Sequence, residues 1–232
     1  MNPMDVQRMQ IESIEIKNYR VFKYAVVPKI PRLAVLVGEN GSGKSTLFDV
    51  FTFLKDALAQ NVAKAVGKRG GFKELVSRDA DGPISIAIKF RETGGRLATY
   101  ELSVAQENGS AVVDREVLKF RRGQRGQPWH FVDFSRGRGT AITNESVYGE
   151  PGAVEQRKDH VLDEPTVLAI KGLGQFKEFR VVAEFRSLIE NWHISDFHIA
   201  DARPSAEEGY AEHLSTRGDN VAQVAQFLHD HH

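Results

Sequence analysis

From Ile11 to Ile30 apolar and polar residues alternate loosely, with Ile14 and Ile16 and then Val21, Phe22, Tyr24 and Val26 at the apolar positions. A period of two marks strands with one covered face, so the stretch predicts a β-hairpin or meander bounded by Pro28 and Pro31. The pattern then changes. Leu33-Ala34-Val35-Leu36-Val37 is apolar without a break, as expected of a strand covered on both faces of a parallel sheet. Beyond it Leu47, Phe51, Leu54 and Leu58 recur at i, i+4, i+7 and i+11, which is one face of a helix.

Gly67-Lys68-Arg69-Gly70-Gly71 ends the helical period. Ile84 to Phe90, Leu97 to Val104 and Val112 to Phe120 follow as strands, parted by turns at Thr93-Gly94-Gly95 and Glu107-Asn108-Gly109, and predict an antiparallel meander. Later, Phe179, Val182, Phe185, Leu188, Ile189 and Trp192 fit one helical face, Ile194 to Ile199 reads as a strand, and Val221 to Leu228 reads as a helix capped by Asp219 or Asn220.

Composition narrows the class. A chain of 232 residues suffices for one large domain or two small ones, and 41% hydrophobic with 27% charged residues is the balance of a soluble globular protein. Lys+Arg and Asp+Glu are both 31, so net charge argues neither for nucleic acid nor against it. The absence of cysteine excludes disulfides and cysteine-based metal or redox chemistry, in agreement with a reducing cytoplasm. No apolar run approaches the about 18 residues of a membrane span, and MNPMDVQRMQ has no signal core, so a cytosolic protein without a membrane partner is expected.

Between the apolar run and the helix lies Gly38-Glu39-Asn40-Gly41-Ser42-Gly43-Lys44-Ser45, which fits G-x-x-x-x-G-K-[ST], the phosphate-binding P-loop. Gly38, Gly41 and Gly43 admit backbone conformations closed to residues with a Cβ, so successive N–H groups can turn inward around a polyphosphate. The start of the helix adds unpaired N–H groups and a positive dipole end. Lys44 is expected to reach the β and γ phosphates, Ser45 to offer its hydroxyl to Mg²⁺, and Thr46 to be a further hydroxyl contact. The plain alternative is an ordinary glycine turn between strand and helix.

A strand pair leading directly into a P-loop is a feature of ABC-type ATPases. Ile16-Lys17-Asn18-Tyr19-Arg20-Val21-Phe22 followed by VGENGSGKSTLFDVF resembles the opening of their SMC-like, RecF-like and OLD-like (AAA family ATPase) branch, specifically over Ile14 to Leu58 and loosely over most of the chain. The resemblance implies an α/β fold, a P-loop NTPase core of the ABC type with a flanking antiparallel β subdomain, and ATP and Mg²⁺ as cofactors. In that branch the Asn-aromatic-Arg segment lies near the nucleotide, which makes Arg20 a candidate ribose or phosphate contact. Tyr19 and Phe22 read more simply as strand packing. The family also uses a glutamine to position Mg²⁺ and water. No Gln lies between Lys68 and Leu97, and Gln106 sits at a strand edge, so none is assigned.

Other stretches weigh against plainer explanations. Arg121 to Gly139 interleaves Arg121, Arg122, Arg125, Arg136 and Arg138 with Trp129, Phe131 and Phe134, a composition suited to nucleic acid, although a strand with arginines at its two turns explains it as well. Asp163-Glu164 has the residue types of a Walker B pair, the carboxylates that hold Mg²⁺ and activate water. Arg157, Lys158, Asp159 and His160 stand where its buried run should be, so Asp163 is better explained as a helix-start residue ahead of Pro165, with Val167 to Ile170 as a short helix stopped at Gly172. Leu214-Ser215-Thr216-Arg217-Gly218 resembles a degraded ABC signature but follows the acidic pair and lacks paired glycines. His193 and His198 suit core or edge positions better than ligation, and His229, His231 and His232 lie on a terminus without fixed geometry.

The expected organisation is one ATPase lobe. Residues 1–66 supply hairpin, P-loop strand and helix, 67–140 an antiparallel β subdomain with a basic hairpin, and 141–232 a helical and mixed segment closing the lobe, where GDNVAQVAQFLHD resembles the closing helix of RecF-like proteins. In that family the signature, Walker B and switch histidine lie in a C-terminal lobe, which this chain is expected to lack. The implied function is an ATP-binding lobe that hydrolyses poorly alone and couples nucleotide-driven, head-to-tail homodimerisation to DNA or an effector protein, in DNA repair or anti-phage defence. Two alternatives remain: a nucleotide-dependent nucleic-acid or protein interaction module without turnover, with Arg121 to Arg138 carrying the contact, and a P-loop kinase, which needs an arginine-bearing lid and a parallel insertion.

Overall fold

Alternating burial along the strands builds the sheet that dominates the chain. A computed structural model describes residues 9–93, 95–120, 129–145, 154, 156–193, 211–215 and 218–231. Met1–Glu190 forms one compact unit and Asn191–His232 a second. In the first, β1 (Gln10–Tyr19), β2 (Phe22–Val27), β3 (Ile84–Arg91), β4 (Leu97–Glu107), β5 (Ser110–Phe120), β6 (Trp129–Ser135), β7 (Arg138–Ile142) and β8 (Arg157–Val161) form one sheet. Its order is β2-β1-β3-β4-β5-β6-β7-β8, and each neighbouring pair is antiparallel.

Register lines the apolar positions into rows. Ile14, Ile88, Tyr100, Leu118, Val132 and Ala141 succeed one another across six strands, and Ile16, Ile86, Leu102, Glu116 and Phe134 form the next row. All are buried, and each fully covered Ile, Leu or Phe contributes about 1.5–3 kcal/mol. The opposite face carries ion pairs such as Lys17 with Glu15 and Arg115 with Asp133, as the period of two requires.

The predicted hairpin and three-stranded meander are all present. Strands β7 and β8 were not expected, because RKDHV shows no apolar alternation. It forms the outermost strand, where charged residues are tolerated and discourage further pairing.

Helices α1 (Lys44–Ala59), α2 (Val62–Gly67), α3 (Phe72–Leu75), α4 (Ala169–Leu173) and α5 (Arg180–Glu190) complete the first unit. Helix α1 buries Leu47, Leu54 and Leu58 as expected, and Val50, Phe53 and Ala57 widen the stripe. The short α2 starts where Asn61 accepts the Lys64 N–H at 2.9 Å. Helix α5 buries Val181, Val182, Phe185 and Ile189, and Phe185 stacks on Phe90 at 4.5 Å, which fixes the helix to the sheet.

Asp163 does not start a helix: α4 begins later, at Ala169, and its first N–H groups are received by Glu116 from β5. A buried carboxylate on the sheet outcompetes the local cap, because it satisfies two amides that would otherwise be orphaned in the core.

The larger correction concerns Leu33 to Val37. No strand forms there, and Leu33, Val35 and Val37 are 84%, 81% and 90% exposed. A strand hidden on both faces needs hydrogen-bonding neighbours, and among the described residues every strand is engaged in the antiparallel sheet. The antiparallel subdomain of the expected α/β fold is therefore present, and a parallel core is not among the described residues.

In the second unit α6 (Val221–His231) begins after Asn220, whose carbonyl accepts the Val224 N–H at 3.1 Å. The Asn220 and Asp219 side chains both accept from Ser215. The strand expected over Ile194 to Ile199 lies outside the described residues. Among the described residues no helix is long and apolar enough to cross a membrane.

Candidate phosphate-binding site

Helix α1 opens at Gly43, which has φ 95° and donates no side-chain cap, and its first turn carries no acidic residue. The leading amides thus keep their hydrogen-bonding capacity and the positive end of the helix is uncompensated. Gly43 is required twice over: its φ is left-handed, and an added Cβ would lie 2.6 Å from the Phe22 ring and 3.3 Å from Val21 Cγ2. The β1–β2 turn is therefore pressed against the start of α1. At Gly38 a Cβ would meet Ser42 Oγ at 2.8 Å, so the loop closes on itself where a side chain would fill it.

Lys44 Nζ donates to the carbonyls of Gly38 at 2.6 Å and Glu39 at 2.7 Å and approaches Ser42 Oγ at 3.3 Å. The ammonium is thus folded over the loop and held by neutral oxygens. An anionic phosphate oxygen makes a stronger, charge-assisted bond and would displace them. Glu39, Asn40, Gly41 and Ser42 are exposed along the loop, Ser45 is exposed beside Lys44, and Thr46 is buried, which leaves Ser45 as the hydroxyl open to a metal. In kind these residues fit a polyphosphate: the opening of α1 has no acidic residue, Lys44 brings an ammonium to the loop, and an added Cβ at Gly38 or Gly43 would clash. For Mg²⁺ the fit is partial, since Ser45 offers one hard oxygen and the phosphates would have to offer others.

Arg20 lies in the β1–β2 turn with φ 49°, a conformation that costs a non-glycine residue roughly 1–2 kcal/mol. Its N–H donates to Leu75 O at 2.7 Å, and its Nε stands 3.0 Å from Asp49 Oδ2 on α1. Asp49 also accepts Tyr19 Oη at 2.8 Å and Arg69 Nε at 2.9 Å, while Arg69 reaches Asp56 at 2.9 Å and Lys68 reaches it at 2.7 Å. Burial and the Asp49 carboxylate push the Tyr19 phenol well above its usual range, so it remains a donor. Tyr19 packs edge-on against Phe53 and Phe22 against Gly43, which agrees with their expected packing roles.

Asp49, Asp56, Lys68 and Arg69 were not anticipated. Their signal is present in retrospect: Asp49 and Asp56 stand two turns apart on one helix, and the Lys-Arg pair follows at the next glycine break.

The remaining candidates do not join this site. Asp163 and Glu164 are exposed after the edge strand β8, and Glu164 accepts the Thr166 hydroxyl at 2.8 Å, so no buried acidic pair forms. Trp129, Phe131 and Phe134 are buried and cannot stack on bases, and Arg136 pairs with Glu107 and Asp114. Arg121, Arg122 and Arg125 lie outside the described residues, as do Thr216, Arg217, His198 and His232. His193 is exposed, and among the described residues no group of three or more His, Asp or Glu is placed to hold a metal.

A glycine loop thus opens a long helix, with a lysine folded back over it. Residues 9–208 match the AAA ATPase domain family, and the chain belongs to it. It is 31% identical over 99 residues to the DNA replication and repair protein RecF of Anaeromyxobacter sp. (strain K), covering 40% of this chain and 26% of that protein. The chain thus spans well under half of that relative. A solved structure from work on ATP-driven dimerization and DNA stimulated activation of SMC ATPases covers 52% of this chain and 72% of its own, with 20% identity and a TM-score of 0.37. Family membership agrees with the RecF-like resemblance of the opening stretch and makes this an ATPase-type domain.

Proposed function

We propose that this chain is the ATP-binding lobe of a RecF-like or SMC-like ATPase, which takes the phosphates of Mg-ATP in the loop Gly38 to Ser45 and uses the bound nucleotide to assemble with a second lobe. The observation that carries the reading is Lys44: its ammonium lies within 2.7 Å of two loop carbonyls at the open end of α1. In this reading the Gly41 to Lys44 amides hold phosphate oxygens, Lys44 neutralises the β and γ phosphates, and Ser45 contacts Mg²⁺, which when bound screens charge between the phosphates.

Water activation is a separate matter. Asp163 and Glu164 lie on an exposed turn; in this reading the catalytic carboxylate is supplied by a second lobe, and this chain alone hydrolyses slowly. The exposed Leu33 to Val37 segment supports that division, since its apolar run suits burial between strands that a completing lobe would supply. Head-to-tail dimerisation and engagement of DNA or an effector, in repair or anti-phage defence, extend the same reading. The matched relative's name contains DNA replication and repair.

A nucleotide series tests it. If the phosphate tail is what is recognised, affinity falls from Mg-ATP to Mg-ADP to AMP, with AMP at least about tenfold weaker than Mg-ATP, each charge-assisted contact being worth about 1.5–3 kcal/mol. Equal binding of AMP would point to the base or ribose and against the loop. Phosphate release measured with and without DNA then separates an ATPase from a binding module without turnover.

A further inference from the structure

Asp49 gathers donors from three parts of the chain, and they are not held alike. Tyr19 is fully buried and bonds Oδ2 at 2.8 Å. Arg69, with a side chain only 5% exposed, bonds Oδ1 at 2.9 Å and is braced by Asp56 at 2.9 Å, by Ala65 O at 2.9 Å and by the Phe53 ring. Arg20 differs. Its side chain is 40% exposed, and its Nε lies 3.0 Å from Asp49 Oδ2.

The backbone beneath Arg20 is fixed. Its N–H is held by Leu75 O, the Phe22 carbonyl accepts Ser77 Oγ at 2.7 Å, and Asn18 Nδ2 donates to Asp81 O and Pro83 O. Val21 and Phe22, next in the chain, touch the position of a Gly43 Cβ. Left-handed residues at both Asn18 and Arg20 are the kind of local strain that persists where surroundings over-determine it. The turn is thus pinned to the phosphate loop while the Arg20 side chain retains room to move.

We propose that Asp49 is a positioning residue for nucleotide binding: it parks Arg20 beside the P-loop and yields it to the polyphosphate, while Tyr19 and Arg69 keep the carboxylate satisfied. This rests on the P-loop reading above. A part-exposed ion pair of this kind contributes little, whereas a guanidinium on phosphate makes paired, charge-assisted bonds, so the exchange favours the nucleotide. Without Arg69 and Tyr19 the departure of Arg20 would strand a half-buried carboxylate. With them it does not.

The test is a double-mutant cycle on the full chain, reading Mg-ATP affinity by titration. Arg20→Ala is expected to weaken binding about tenfold, the effect of losing one charge-assisted contact. Asp49→Asn is expected to tighten binding severalfold when Arg20 is present and to change it less than twofold in the Arg20→Ala background. An equal effect of Asp49→Asn in both backgrounds, or no effect of Arg20→Ala, overturns the proposal. Should Asp49→Asn fail to fold, Arg20→Ala alone decides. Weaker binding with a melting temperature within about 2 °C of wild type supports release of a detachable partner, and unchanged affinity with a larger drop overturns it. Lys44→Ala keeps the two layers apart: if it abolishes binding while the cycle shows no coupling, the P-loop stands and the Asp49 role falls.

Discussion

Gly43 is the residue at which backbone conformation and packing meet most tightly. Its φ of 95° and the Phe22 ring 2.6 Å from a would-be Cβ leave no room for alanine. Gly43→Ala is expected to destabilise the chain by about 1–3 kcal/mol in denaturant unfolding and to abolish Mg-ATP binding. Gly41 has a comparable φ of 83° but open space around it, so Gly41→Ala should cost only the conformational part, about 1 kcal/mol. A second residue, Glu116, contributes to pH dependence. Burial raises its carboxyl from 4.5 to about 7, against the opposing pull of the Ala169 and Ile170 amides and the Tyr100 hydroxyl. The folded chain therefore keeps a proton that the unfolded chain has already released between those values. The unfolded state binds fewer protons there, so stability falls as pH rises from 4.5 toward 7, by about 3 kcal/mol from this group. Glu145, whose carboxyl burial also raises to about 7, adds to the slope. Chemical denaturation across that range should show the decline, and Glu116→Gln should flatten it by roughly half. An unchanged slope in Glu116→Gln would place the titration elsewhere.

At the scale of elements, what could be read from the chain depended on whether a segment's partners lie nearby. Helix α1 and strands β1 to β5 were legible because Leu47, Leu54 and Leu58, or Ile84, Ile86 and Ile88, carry their own period. Strand β8 was not, since RKDHV is held by backbone pairing with β7 and not by apolar burial. Helix α4 was placed too early because its cap comes from Glu116, 53 residues before Ala169. The run Leu33 to Val37 is apolar yet exposed, because burial in a strand needs neighbours that the described residues do not supply. At the site the motif revealed the loop and Lys44, but the Asp49 network was hidden, being made by tertiary approach of the β1–β2 turn and the Gly67 to Gly71 break. The exposed run gives its own prediction. Val35→Ser with Val37→Ser should leave the melting temperature within about 2 °C, since exposed substitutions stay within about 0.5 kcal/mol. In a chain completed by its second lobe the same pair should impair assembly. A large loss of stability in this chain alone would show that the segment is buried after all.

For the whole molecule the account is one of division of labour. A large antiparallel sheet supplies the rigid support, and in the proposed function a loop and helix beside its β1–β2 turn supply the phosphate contacts. The carboxylate chemistry is assigned to a partner lobe. Nucleotide-dependent association follows: in sedimentation velocity, Mg-ATP should shift the chain joined to its second lobe toward dimer, and Lys44→Ala should remove the shift. The central claim is narrower than this, namely that the loop Gly38 to Ser45 holds the phosphates of a nucleotide. Calorimetric titration of Mg-ATP into wild type and Lys44→Ala tests it most directly. Wild type should bind saturably and Lys44→Ala at least about tenfold more weakly, the worth of one charge-assisted contact; equal affinity of the two proteins would show that the loop does not hold the phosphates.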